Sequence, residues 1–288
     1  MKHIRIISPS GSIVPGYVTQ AKELLELAGY RVTIGTHAMN QYGRFAGSAE
    51  QRLIDINEAL ADANVDIILC SRGGYGLQQI IDSIQLPCRP KEQWPLVVGY
   101  SDITEIHSLF ALYGVPTMHA PMCKEIVGGA ILQFGNGVRL SSDKALRREG
   151  EAVGTVIGGN LSVLYGLQGT KWDLNHIIDT LDSAPILFIE DIAENHYHID
   201  RMMNNLRLSG VLGRISGLVV GHLTDCPVDY RMMCSLEETI FSAVRDYDYP
   251  VMFGAPVGHE APNLPLMLGA EYKLCVNATS ASLTPLNS

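Results

Sequence analysis

Short apolar runs alternate with amphipathic stripes through the first half of the chain, and few residues separate them. Residues 3–8, 30–34, 65–70, 96–99 and 115–119 are compact, rich in β-branched side chains and bounded by turn formers, which predicts strands. Residues 18–29 carry Ala21, Leu24, Leu25 and Ala28 at helical spacing and end on Gly29. Residues 48–63 do the same with Leu53, Ile54, Ile56, Ala59 and Leu60, entered through Ser48 with Gln51 three positions on, a capping-box pattern. Further helices are predicted over 77–84 and from Ile103 to Tyr113, whereas 35–47 is polar and aromatic without a period and reads as a loop.

Strand and helix in alternation, joined by short connections, predict an α/β fold: a parallel sheet covered by helices on both faces, of flavodoxin-like or Rossmann-like kind. Residues 141–150 are charged and break that rhythm, so the expected domains are 1–145 and 151–288. In the second, strands over 184–190, 217–221 and 272–277 and helices over 161–167, 199–209 and 236–247 follow no regular order, which predicts an α+β domain. No internal repeat or low-complexity tract is present.

Composition narrows the function. Of 288 residues, 47% are hydrophobic and 18% charged, enough for a packed core and too apolar for disorder. A net charge of −9 argues against nucleic acid as the main partner, because that partner requires a basic face. No apolar run is long enough to span a bilayer, and Arg5 interrupts an N-terminal run too short for a signal peptide. The six cysteines form no Cys-x-x-Cys pair and sit mostly in apolar stretches, which predicts reduced, buried thiols; Cys70 alone lies near other candidate groups.

Candidate chemistry gathers at element ends. Pro95 to Ile106 runs from a strand into a helix through Gly99-Tyr100-Ser101-Asp102, a turn that lifts the Ser101 hydroxyl clear of the sheet. There it sits beside the free N–H groups of a helix N-terminus, where a nucleophile's developing charge is stabilised. The same residues also read as a helix cap, with Asp102 and Glu105 as the capping box, and spacing alone does not choose. Arg72-Gly73-Gly74-Tyr75-Gly76 follows a strand, and its paired glycines could face an anion with backbone N–H groups, or form a tight turn and nothing more. Its spacing is not that of a dinucleotide loop. Phe188-Ile189-Glu190-Asp191 ends a strand on two carboxylates that could bind a metal, orient a histidine or simply face water. His196 and His198, with Asp200, fall on one side if the segment is extended, a weak zinc pattern without a third ligand. His259 lies in a Gly/Pro-rich loop, a surface position. Ser101, Glu190 and His259 together supply a nucleophile, an orienting acid and a base, and a triad is defined by geometry rather than chain order.

These motifs, with Ile199-Asp200-Arg201 and Pro262-Asn263-Leu264-Pro265, resemble the LD-carboxypeptidase family of serine peptidases, which includes the microcin-immunity hydrolases. They occur in family order across nearly the whole chain. The resemblance implies a cytoplasmic homodimer, needing neither metal nor cofactor, that removes terminal D-alanine from an L-configured diamino acid centre in murein tetrapeptides. It implies Ser101 as nucleophile, His259 as general base and Glu190 as its orienter. It further implies an oxyanion hole from the N–H of Asp102 and that of Gly73 or Gly74. Two alternatives stay open: a microcin-type hydrolase of peptidyl-nucleotide amides with the same triad, and a non-enzymatic module that binds an anion at Gly73-Gly74.

Overall fold

In the computed structural model, which describes residues 1–130, 134 and 137–286, the strands form two sheets. The first half contributes β1 (His3–Ile7), α1 (Pro15–Leu27), β2 (Arg31–Ile34), α2 (Ala49–Ala61), β3 (Ile67–Cys70), β4 (Leu96–Gly99), α3 (Thr104–Ala111), β5 (Thr117–His119) and α4 (Cys123–Val127). Strands β2, β1, β3, β4 and β5 lie side by side in that order and are all parallel. This is the flavodoxin-type order, with its switch point between β1 and β3. The interior strands β3 and β4 are apolar on both faces. One face packs under α1 and α4 through Val18, Ala21, Leu25 and Ile126, the other under α2 and α3 through Ile56, Leu60, Ile106 and Phe110.

The second half begins with β6 (Leu140–Ser142), β7 (Gly150–Asn160), α5 (Leu161–Gly166), α6 (Leu174–Asp179) and β8 (Ile186–Ile192). It continues through α7 (His196–Leu208), β9 (Gly217–Thr224), α8 (Leu236–Ala243), β10 (Val251–Phe253), β11 (Leu266–Leu268), β12 (Glu271–Val276) and β13 (Ala281–Pro285). Strands β10, β9, β8 and β7 are parallel, and β12, β13 and β6 extend the sheet antiparallel. Strand β11 leaves this half and adds an antiparallel edge to the first sheet against β5. The first sheet is therefore completed by a strand from the second half of the sequence, whereas the second sheet takes all its strands from that half.

Three expectations need correction. Residues 77–84 form two single 3₁₀ turns, Leu77–Gln79 and Ile81–Ser83, because Gly76 at φ 143° and the tether of Leu77 N–H to Asp102 prevent a continuous α-helix. Helix α1 starts at Pro15, three residues before the first periodic apolar position, since proline is pre-organised for the first turn. The segment holding His196 and His198 is the first turn of α7 and not extended, so the two rings point to different sides.

Candidate active site

The turn after β4 bears on the two readings of Ser101. Ser101 adopts φ 65°, a left-handed conformation that costs a non-glycine residue about 1–2 kcal/mol. A capping residue needs no such backbone; a hydroxyl thrust out at a sharp strand-to-helix corner does. The cap reading fails on the side chains as well. Neither the 3₁₀ turn Ser101–Ile103 nor α3 has a side-chain cap. The Asp102 carboxylate instead accepts hydrogen bonds from Ser10 Oγ and, at 3.0 Å, from Leu77 N–H, so it ties the loops after β1 and β3 to the corner. Arg52, fully buried on α2, braces the same loops: it donates to Pro9 O at 3.0 Å and to Gly76 O at 2.7 Å.

Gly73 lies directly against the serine. A Cβ there would stand 2.7 Å from Ser101 Cβ and 2.9 Å from Tyr100 O, so only glycine lets the loop approach. The Gly73 carbonyl accepts from Gly11 N–H at 3.0 Å, while the N–H groups of Gly73 and Gly74 donate to no protein acceptor among the described residues. Behind the corner, His107 spans Gly99 O (Nε2, 3.0 Å) and Thr117 Oγ1 (Nδ1, 2.8 Å). Burial chiefly, and the neighbouring His119, push its pKa down to about 3, so it is a neutral structural strut.

Glu190 arrives from the other sheet. The register of β8 against β9 slips between Ile189 and Asp191, and the paired acids meet different neighbours. Asp191 accepts from Asn160 Nδ2, Ser162 N–H and Ile192 N–H at 2.9–3.0 Å and holds the start of α5. Glu190, fully buried, accepts from His259 Nδ1 at 2.6 Å through Oε2. Burial acts to raise its pKa, but the imidazoles of His119 and His259 outweigh that and hold the carboxyl down to about 2. His259 is delivered by the loop after β10. Gly258 at φ 139° is required there, because a Cβ would meet Glu190 Oε2 at 3.1 Å and His222 Cβ at 3.0 Å.

Ser101, Gly73, Gly74 and His259 line one cleft of about 610 Å³ together with Arg72 and Lys124. A second cavity of about 630 Å³ opens on the other side of His259, against Tyr100, Glu125 and Asn263. The Tyr100 ring meets His259 edge-on with centroids 4.8 Å apart. The cleft therefore collects a strained hydroxyl, unengaged backbone N–H groups and an imidazole whose Nδ1 is anchored on a buried carboxylate. That set can activate an alcohol and stabilise an oxyanion.

A model of the LD-carboxypeptidase N-terminal domain matches residues 4–120, and one of the C-terminal domain matches 153–274. The chain belongs to the LD-carboxypeptidase family. It is thus a serine-type carboxypeptidase. A probable murein peptide carboxypeptidase of Bacillus subtilis is 32% identical to it over 93% of this chain and 87% of that protein. The crystal structure of a muramoyltetrapeptide carboxypeptidase from Oxalobacter formigenes superposes with a TM-score of 0.82, at 25% identity, covering 98% of both chains. The microcin C7 self-immunity protein MccF of Escherichia coli is 23% identical over 91% of this chain and 86% of its own.

Other candidates of this LD-carboxypeptidase chain lie elsewhere or do other work. His196 is a core histidine: Nε2 pairs with Thr239 Oγ1 at 2.6 Å, and Nδ1 accepts from Asp229 N–H at 3.2 Å. His198 pairs with Glu194 at 2.9 Å. All six cysteines are free, and burial raises the Cys70 thiol far above its ordinary value, the opposite of what a nucleophile needs. Sequence reasoning gave no role to Arg52 or His119. Arg52 falls in line with Ile56 and Ala59 on the buried stripe of α2, and that spacing was the available signal. His119 ends a short apolar strand, where nothing distinguishes it.

Proposed function

We propose that this LD-carboxypeptidase releases terminal D-alanine from murein tetrapeptide through a Ser101–His259–Glu190 triad. The reading rests on one observation above the others: the 2.6 Å bond between His259 Nδ1 and Glu190 Oε2, which joins β8 to a loop 69 residues on and leaves Nε2 to a residue that lines the serine's cleft. Glu190 fixes the tautomer, so that Nε2 is the basic nitrogen. Nε2 takes the proton of Ser101 Oγ as Oγ attacks the carbonyl carbon of the L-configured centre. The oxyanion is received by the N–H of Asp102 and by that of Gly73 or Gly74, each such donor being worth about 3 kcal/mol of barrier. His259 returns the proton to the leaving amine of D-alanine, and a water activated by the same imidazole hydrolyses the acyl-enzyme. Murein peptide is favoured over a peptidyl-nucleotide because the more similar relatives bear that activity in their names. The enzyme would act in cytoplasmic cell-wall recycling, as a homodimer.

Mass spectrometry of murein tetrapeptide after incubation tests this directly. The wild type yields tripeptide and D-alanine, and Ser101→Ala lowers kcat by about a thousandfold or more with an unchanged melting temperature. An unaffected Ser101→Ala variant rejects the triad. Cleavage of an acyl-sulfamoyl nucleotide with the tetrapeptide left intact rejects the substrate and leaves the triad standing.

A further inference from the structure

Glu190 has two oxygens, and His259 engages only one. The other, Oε1, is buried and hydrogen-bonds to no protein group among the described residues. Facing it at 3.8 Å is His119 Nε2, at the end of β5. His119 is fully buried, and neither of its ring nitrogens makes a protein hydrogen bond among the described residues. Its backbone is fixed in the sheet between Gly99 and Leu266, one step from the serine corner. Its ring is held edge-on to Phe188, with centroids 5.3 Å apart, and tilted against Tyr100 at 5.4 Å.

The remaining titratable neighbours, His222 apart, have partners of their own. His107 on α3 has both nitrogens bonded. His222 on β9 has Nδ1 unpartnered among the described residues, but its Nε2 faces Glu260 at 3.9 Å and the side chain adjoins Gly258 on the Oε2 side of the acid. Asp191 is turned to α5, and Glu125 on α4 accepts from Met122 N–H. Tyr100 packs against both imidazoles rather than binding the carboxylate. His119 Nε2 is the nitrogen that the structure sets opposite the second oxygen of the acid. A buried carboxylate that keeps one oxygen unmatched is costly, and an imidazole N–H aimed at it offsets that cost.

We propose that His119 is a positioning residue, which holds Glu190 from the nucleophile-bearing sheet so that its other oxygen stays on His259. This rests on the triad reading. The acid is then gripped from both halves of the molecule, and its distance from the serine is set by the sheet that carries the serine.

Four variants decide it. His119→Phe keeps a buried ring and removes the N–H; it lowers kcat by about 10- to 100-fold with KM within about twofold, because it disturbs orientation and not binding. His119→Gln, which keeps an N–H donor, recovers at least about half of that loss on a logarithmic scale. On a Glu190→Gln background, His119→Phe changes kcat by less than about twofold, because its effect runs through the acid. A His119→Phe enzyme with full kcat, or one whose loss persists undiminished in Glu190→Gln, overturns the proposal. Full activity in Glu190→Gln alone overturns the triad reading instead. Should the Phe variant not fold, His119→Met is read by the same criteria.

Discussion

At the scale of single residues, Ser101 carries the clearest conflict between stability and use. Its left-handed backbone is a strain that a glycine would relieve and a nucleophile must tolerate. Ser101→Gly is therefore expected to raise stability by about 1 kcal/mol in a denaturant titration while removing activity. A destabilised Gly variant would mean that the serine hydroxyl is held by contacts stronger than the strain. Glu105 shows the reverse problem. It is buried on α3 with one oxygen unpartnered, and burial first, then the Asp102 carboxylate, push its pKa up to about 8. The capping role that its spacing with Asp102 suggests is one it does not perform.

Among elements, the loops at the carboxyl ends of β1, β3 and β4 act as one body. Asp102, Arg52 and the contact of Gly11 with Gly73 tie them together, and Asn160 N–H donates to Thr104 Oγ1 at 2.9 Å to pin the second sheet's β7 to the start of α3. The close approach of Gly73 to the corner gives a direct test. Gly73→Ala places a methyl 2.7 Å from Ser101 Cβ and 2.9 Å from a carbonyl oxygen, so the serine must move. A shift of about 1 Å costs on the order of a hundredfold in rate, which steady-state kinetics would read against an unchanged far-UV spectrum. Wild-type turnover in Gly73→Ala would show that the loop yields and does not position the serine.

For the molecule as a whole, buried carboxyls set the dependence of stability on pH. Glu190, held down to about 2, lies below its unfolded value of about 4; it adds stability above about pH 4, and that contribution fades as the pH falls toward 2. Asp191, raised to about 7 chiefly by burial, and Glu105, raised to about 8, lie above theirs. Between about pH 4 and 8 the folded state holds more protons at these two sites than the unfolded state does, so stability declines as the pH rises. Thermal unfolding should thus be most resistant in the mildly acidic range. Glu105→Gln should flatten the alkaline decline, raising the melting temperature more at pH 9 than at pH 5; an equal rise at both would assign the effect to packing.

How much of this was legible in the chain follows from which interactions are local. The alternation of apolar runs and helical stripes fixed the parallel α/β sheet, because side-chain periodicity is a property of neighbouring residues. The glycine turns and the Gly99-to-Asp102 corner marked where chemistry would gather, since strand ends and tight turns are written in short motifs. What the chain alone left open was decided by contacts across long separations. The left-handed backbone of Ser101 sits at a corner that Ser10 and Leu77 tie down through Asp102 and that Gly73 packs against. The partners of Glu190 and Asp191, His259 for the first and Asn160 with Ser162 for the second, come from distant parts of the chain. The meeting of His119 with Glu190 needed β5 and β8, from separate sheets, to face one another. Residue types are a matter of sequence; the distances between them arise only when two hydrophobic cores close around buried charge.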